Sequence, residues 1–295
     1  MNFKEEMEVR GQAVEAVIRK YLPKEEGFQR IVLEAMNYSV SAGGKRLRPL
    51  LMWETYRMFG GEGEAIEPFM AAIEMIHTSS LIHDDLPAMD GDEMRRNKPS
   101  TWVAYGEDMA ILAGDGLMIF AFETAVKAAA LGGAPDRILR ALRILSNKTG
   151  IYGMIGGQTV DVELTGKPVP ADKLDFIYRL KTGALLEASL MIGAVLAGAS
   201  DEEVGRMERI AGQVGMAFQI RDDILDLIAR PEELGKPVKS DEKNHKTTHV
   251  TLVGLDQAKR DVEEISGQAI RELEALPSCT EFLKNLIGML ITREK

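Results

Sequence analysis

Apolar residues recur at helical intervals along most of the chain, and no segment alternates as a half-exposed strand does. Val9, Ala13, Val17 and Tyr21 fall four apart, predicting a helix with one apolar stripe. Pro68 to Leu86 carries Met70, Ile73, Met75, Ile76, Leu81 and Ile82, too many for one stripe, and predicts a largely buried helix. Met207 to Ile228 repeats the pattern through Ile210, Val214, Ala217, Ile220, Ile224 and Leu227, and Ser200 with Glu203 forms a capping box before it. Met109 to Leu131 is strongly apolar but holds Asp115, Glu123 and Lys127. Ala188 to Gly198 is uncharged but far shorter than a membrane span. Both are expected to be buried helices of a soluble protein with no transmembrane segment. Breaks fall at Pro23, Gly43-Gly44, Gly60 to Gly63, Pro87, Gly132-Gly133, Gly166 to Pro170, Pro231 to Pro237 and Pro277. No linker divides the chain. The expectation is one all-α domain over residues 1–295, a bundle of about ten or more mostly antiparallel helices.

Composition sharpens this. Aromatics are only 6% of the 295 residues while Met numbers 16, which favours helix over sheet. With 46 acidic and 36 basic residues the net charge is −10, which argues against a broad nucleic-acid surface but leaves room for a local basic pocket. Cys279 is the single cysteine, so neither an intramolecular disulfide nor a Cys-based zinc site can form. Met1 to Arg10 carries Glu5, Glu6 and Glu8 and does not read as a signal peptide. A reducing cytoplasm is the expected compartment.

Two aspartate clusters carry the candidate chemistry. The first is Asp84, Asp85 and Asp90, followed by Asp92, Glu93 and Arg95-Arg96. The second is Asp222, Asp223 and Asp226, preceded by Gln219 and Arg221. Both end strongly apolar helix. Asp222 and Asp226, four apart, share one helix face with Asp223 on its flank. Like charges this close repel unless a cation neutralises them. Hard oxygen donors suit Mg²⁺, which takes one or two carboxylates and completes its shell with water and phosphate. Pro87 disfavours helix at Leu86, so an irregular turn must bring Asp90 back towards Asp84 and Asp85.

Cations complement the acids. Gly43-Gly44-Lys45-Arg46-Leu47-Arg48-Pro49 is a glycine turn with three cations in four positions. It is not a Walker A loop, yet it can hold phosphate through backbone N–H groups and Lys/Arg contacts. Arg95-Arg96, Lys181-Thr182, Lys236 and Lys246 are further candidates. His77 and His83 sit on the helix leading to the first cluster. His245 and His249, in a polar stretch, read as a surface loop, and Cys279 as inert.

Taken together, the two Asp-rich helix ends, the Gly-Gly-Lys-x-x-Arg-Pro turn and Arg95-Arg96 closely resemble the trans-isoprenyl diphosphate synthases, the short-chain polyprenyl synthetases. The resemblance runs from about Tyr38 to Leu255, and more loosely to the end. It implies an all-α bundle around a deep central cavity, usually as a homodimer. It also implies that Asp84, Asp85, Asp90, Asp222, Asp223 and Asp226 hold three Mg²⁺ on an allylic diphosphate across the cavity mouth. Arg95, Lys181, Thr182, Gln219, Lys236 and Lys246 would contact that diphosphate. Gly44, Lys45, Arg48, His77 and Arg96 would hold isopentenyl diphosphate, and Gln158 and Asp161 would line the cavity. Asn97, Ser100-Thr101-Trp102 and His249-Val250 depart from the usual family residues.

The implied reaction is ionisation of dimethylallyl, geranyl or farnesyl diphosphate, attack by the alkene of isopentenyl diphosphate, and loss of a proton. Backbone or side-chain oxygens near Lys181 and Thr182 would help stabilise the allylic cation. Ser80 and Ser79, four and five residues before Asp84, lie about 6 and about 7.5 Å along the helix from it. There an aromatic commonly stops the product at farnesyl, so two serines point to geranylgeranyl diphosphate, with farnesyl as the alternative. A class I terpene cyclase and a non-catalytic synthase subunit are the more remote readings. The first normally lacks the Lys45/Arg48 site, and the second tends to lose the aspartates.

Overall fold

The computed structural model describes residues 2–228, 247–276 and 278–292. Apart from one two-residue hairpin, the described residues form helices and their connections. The all-α expectation holds. The chain forms two compact units, one of residues up to Arg143 with Val195–Gly198, the other of Ile144–Ala194 with Ala199 onward.

The first unit begins with α1 (Phe3–Lys20), opened by a capping box. Asn2 Oδ1 accepts from the Glu5 N–H at 2.9 Å, and Glu5 Oε2 from the Asn2 N–H at 3.0 Å. Its buried face is Val14, Ile18 and Tyr21, while Val9 stands 55% exposed. The four-apart stripe therefore misses the seam at Val9, Ala13 and Val17 and meets it at Tyr21. At 3.6 residues per turn each four-residue step drifts by about 40°, and the real seam mixes three- and four-residue steps. Then come α2 (Arg30–Val40), α3 (Leu47–Met58) and α4 (Glu67–Asp84). From Pro68 to Ile76 every α4 side chain is buried, as the sequence predicts. Beyond the hairpin, β1 (Met94–Arg95) and β2 (Lys98–Pro99), lie α5 (Thr101–Tyr105) and α6 (Glu107–Val126), and α6 packs along α4. α7 (Pro135–Thr149) begins in this unit.

The second unit holds α8 (Met154–Glu163), α9 (Ala171–Ile177), a π-helical turn over Tyr178–Gly183, α10 (Ala184–Ala197), α11 (Asp201–Ile228), α12 (His249–Val253), α13 (Leu255–Glu274) and α14 (Glu281–Thr292). The Ser200–Glu203 box caps α11, with Ser200 Oγ and N–H each 2.8 Å from Glu203 Oε2. α11 buries Ile210, Val214, Ala217, Ile220 and Ile224 against α13 and α14, but Leu227 is exposed. Lys148 sits between Glu187 and Glu208, an ion group inside this unit.

By length and composition Glu107–Leu131 and Ala171–Ala197 could each cross a bilayer. The most apolar window of the second is 83% buried within the protein, as a core helix is. For the first the figure is 39%, so the buried helix expected over Met109 to Leu131 keeps one apolar side in the open.

Candidate active site

α4 stops at Asp84, where Pro87 makes further helix unfavourable. The chain doubles back: the Asp90 N–H donates to Asp84 O at 2.9 Å and the Gly91 N–H to Leu86 O at 3.1 Å. The expected irregular turn is thus present and returns Asp90 to Asp84. Asp85 is 3% exposed and gripped by Arg95 from β1. Arg95 Nε lies 3.0 Å from Asp85 Oδ1, and its Nη2 reaches the same carboxylate and, at 3.1 Å, Asp92 Oδ2. Burial pushes the Asp85 carboxyl above its ordinary range, and the guanidinium offsets part of that.

The hairpin turn needs positive φ at both central residues, and Arg96 (53°) and Asn97 (62°) supply it. Asn97 fits there because Asn tolerates the left-handed region. The turn lays the Arg96 guanidinium over Gly44, and its Nη1 donates to Gly43 O. Gly43 and Gly44 have φ of 92° and 132°, and Lys45 is exposed beside them. Arg48 differs from Lys45. Its Nε is buried with no hydrogen-bond partner in the protein. His77 stands among Arg48, Arg96, Arg46 and Arg95. Burial and these cations hold its pKa well below the ordinary range, so the ring is neutral at pH 7. His83 instead faces Ile111 O and Asp115 and is structural. Arg46, counted in the sequence with Lys45 and Arg48, is 4% exposed and bound to protein acids.

In the second unit, Asp222, Asp223 and Asp226 occupy the last two turns of α11. Asp223 Oδ2 accepts from Tyr178 Oη at 2.5 Å and from the His249 N–H at 2.9 Å. His249 does not lie in a surface loop: it opens α12 behind the Thr248 cap, and its ring meets Asp261 at 2.7 Å. His245 lies outside the described residues, as do Lys236 and Lys246. Neither Tyr178 nor the His249 N–H was legible as a site group, since a lone Tyr and a backbone amide carry no motif.

Lys181 and Thr182 sit on the π turn, a one-residue widening often found at functional sites. Two glycines allow it. A Cβ at Gly157 of α8 would meet the Lys181 amide nitrogen and the Leu180 carbonyl carbon, and one at Gly215 of α11 would lie 2.8 Å from Gly183 Cα. Lys181 Nζ reaches Asp161 Oδ2 at 2.5 Å, and Thr182 Oγ1 donates to Gln219 Oε1 at 2.9 Å. A cavity of about 110 Å³ brings together Asp161, Tyr178, Lys181, Thr182, Gln219 and Asp223. Gln158 shares α8 with Asp161.

The donor chemistry fits Mg²⁺ at each cluster: hard carboxylate oxygens, three at each of two helix ends. Among the described residues no three acidic, His or Cys side chains converge into a closed cage. Mg²⁺ does not require one, since phosphate and water complete its shell.

Comparisons with known proteins point one way. The polyprenyl synthetase family model matches residues 29–283. A farnesyl diphosphate synthase of Geobacillus stearothermophilus is 44% identical over 248 residues, 84% of this chain and 83% of that protein. A chloroplastic geranylgeranyl pyrophosphate synthase of Capsicum annuum is 45% identical over 249 residues, 84% of this chain and 67% of that one. The crystal structure of a geranyltransferase from Helicobacter pylori, complexed with magnesium and isoprenyl diphosphate, superposes with a TM-score of 0.81 at 30% identity, covering 99% of this chain and 97% of that one.

Proposed function

The chain belongs to the polyprenyl synthetase family and is a prenyltransferase, and from that premise we propose that it condenses isopentenyl diphosphate with allylic diphosphates to geranylgeranyl diphosphate. One observation carries the choice of a synthase over a terpene cyclase. The buried, unpartnered Nε of Arg48 stands with Lys45 at an ordered glycine turn, a place for a second diphosphate that a cyclase does not need. The neutral His77 ring adds a hydrogen-bonding group there without adding charge.

In this reading Asp84, Asp85, Asp90, Asp222, Asp223 and Asp226 serve the allylic diphosphate through three Mg²⁺. Those ions supply electrostatic neutralisation of the leaving group. Arg95, Lys181, Thr182, Gln219, Lys236 and Lys246 bind or orient the same diphosphate. As the allylic C–O bond breaks, negative charge grows on the diphosphate, where cationic donors stabilise it most. The alkene carbon of isopentenyl diphosphate then bonds to the allylic carbon, and the released diphosphate takes the proton that leaves. Gly44, Lys45, Arg48, His77 and Arg96 hold the attacking substrate. The whole chain, 1–295, acts as one catalytic domain in the cytoplasm.

The test is product analysis by chromatography after incubation with Mg²⁺, isopentenyl diphosphate and, separately, dimethylallyl, geranyl or farnesyl diphosphate. A twenty-carbon diphosphate is expected. A cyclised hydrocarbon formed without isopentenyl diphosphate would overturn the reading.

A second product, farnesyl diphosphate, is favoured by one contact. Ser79 is fully buried, its Oγ donating to Ile76 O at 2.8 Å, and Met118 Sδ from α6 stands 4.0 Å away. The space left by a small residue on α4 is partly filled from α6. Ser80 bonds to His77 O and is partly exposed. Ser79→Tyr is expected to shift the product distribution at least one isoprene unit shorter, and Met118→Ala to shift it longer. Radiolabelled product profiles check both, and unchanged profiles would remove this seam from length control.

We also assign homodimerisation to the open side of α6. Ile119 is 70% exposed, and Ile111, Leu112 and Val126 are exposed with it. Such a side is costly in water unless covered. Light scattering should give twice the chain mass, and Ile119→Asp should halve it.

A further inference from the structure

The turn that presents Lys45 is clamped by a residue the proposed substrate does not need to touch. Arg46 Nε donates to Glu15 Oε2 at 2.8 Å, Nη1 to Glu74 Oε1 at 2.6 Å and Nη2 to Val40 O at 2.6 Å. These partners come from α1, α4 and the last turn of α2. Its backbone is left-handed, at φ 48°, a conformation a non-glycine residue adopts at a cost. The fork geometry of arginine meets all three acceptors at once, which a lysine cannot do. From the other side Arg96 fastens Gly43 O. Gly43 and Gly44, the most pliable residues of the segment, are thereby held between two guanidinium clamps.

Glu15 is the unexpected member. It sits on α1, before residue 29, where the match to the family model begins. α1 nonetheless forms one wall of a cleft of about 380 Å³, through Gly11, Gln12 and Glu15, whose other wall is Gly44, Lys45 and Arg46. Glu15 also takes an outer partner, Arg19, at 2.9 Å, and the two bonds keep its carboxyl below the ordinary range despite partial burial.

We propose that Arg46 is a positioning residue for the isopentenyl diphosphate grip, and that α1 belongs to that device through Glu15. This rests on the reading of Gly44, Lys45 and Arg48 as the isopentenyl diphosphate site. The physical gain is preorganisation. A glycine turn ordered at folding does not have to be ordered again at binding. The effect therefore falls on one substrate. Loosening the clamp weakens capture of isopentenyl diphosphate and leaves ionisation of the allylic substrate alone.

Steady-state kinetics on the full chain tests this. Glu15→Ala is expected to raise KM for isopentenyl diphosphate about tenfold, with kcat and the allylic KM unchanged. Glu15→Gln, which keeps an acceptor, should restore part of the loss, and Arg46→Lys should exceed it. Arg19→Ala, which removes only the outer partner, should change nothing. A Glu15→Ala protein with a lower melting temperature but an unaltered isopentenyl diphosphate KM would reduce the clamp to a structural ion group and overturn the inference. So would equal rises in both KM values. Lys45→Ala separates the two levels. If it too leaves that KM unaltered, the assignment of the site itself has failed. If it raises the KM while Glu15→Ala does not, only the positioning role has failed.

Discussion

An Asp223→Asn protein is expected to fold and to lose turnover by about a thousandfold, the upper range for removing one electrostatic contact to a developing charge. The folding half of the expectation comes from the hydrogen bonds. Oδ2 of Asp223 accepts from Tyr178 Oη and from the His249 N–H, and the carboxamide can turn its oxygen to the same two donors. The catalytic half comes from charge. At 6% exposure the carboxylate has little water to stabilise its charge, so a cation beside it is worth more than it would be in the open. The amide presents a weaker donor to Mg²⁺, and the Mg²⁺ concentration needed for half-maximal rate should rise with the loss in kcat. Tyr178→Phe removes one orienting hydrogen bond and keeps the charge. It should cost about ten- to a hundredfold, the usual effect of losing a group behind a metal ligand. Steady-state rates across a Mg²⁺ titration measure all three. An Asp223→Asn enzyme with near-normal turnover and an unshifted Mg²⁺ dependence would take Asp223 out of the proposed metal site.

The comparison between Asp223 and Arg46 shows what residue type and spacing can carry. Asp222, Asp223 and Asp226 stand out in the sequence as acids at a helical interval after apolar helix, and Asp84, Asp85 and Asp90 as acids gathered where such a helix ends. The return of Asp90 followed from Pro87 alone. Lys45, Arg46 and Arg48, in contrast, look alike along the chain and have three different fates. Lys45 is exposed, Arg46 is bound to Glu15 and Glu74, and Arg48 Nε is buried without a partner. Nothing local separates them, because the acids that capture Arg46 are 31 and 28 residues away in sequence. The π turn was hidden for a related reason. It depends on glycines of two other helices, Gly157 and Gly215, that let backbones approach. Periodicity predicted α4 and α11 well because both are buried over long stretches. It misplaced the seam of α1, where Val9, Ala13, Val14, Val17 and Ile18 offer two plausible faces.

Arg48→Met is expected to raise KM for isopentenyl diphosphate about a hundredfold while the protein stays as stable or becomes more so, since replacing a buried charge by an apolar residue of similar size is often neutral or stabilising. The two effects have one origin. Burial and the nearby Arg96 act against the charge on Arg48 more strongly than Glu74 acts for it, which lowers its pKa from the usual guanidinium value without discharging it. Its Nε donor, buried and unpartnered, adds the cost of a hydrogen bond left unmade. A diphosphate answers both debts, so the residue is worth most when the substrate is bound and least when it is not. His77 supplies an independent reading. Arg48 is the first of the cations that hold the ring pKa down, so the methionine variant should move the His77 titration upward in an NMR pH series. The consequence for stability has a definite sign. A histidine whose folded pKa is depressed destabilises the fold as pH falls below about 6.5. Relieving that depression should make the variant lose less stability on acidification than the parent protein does. A variant with an unchanged isopentenyl diphosphate KM and a lower melting temperature would make Arg48 an ordinary packing residue and return its buried Nε to an unexplained cost.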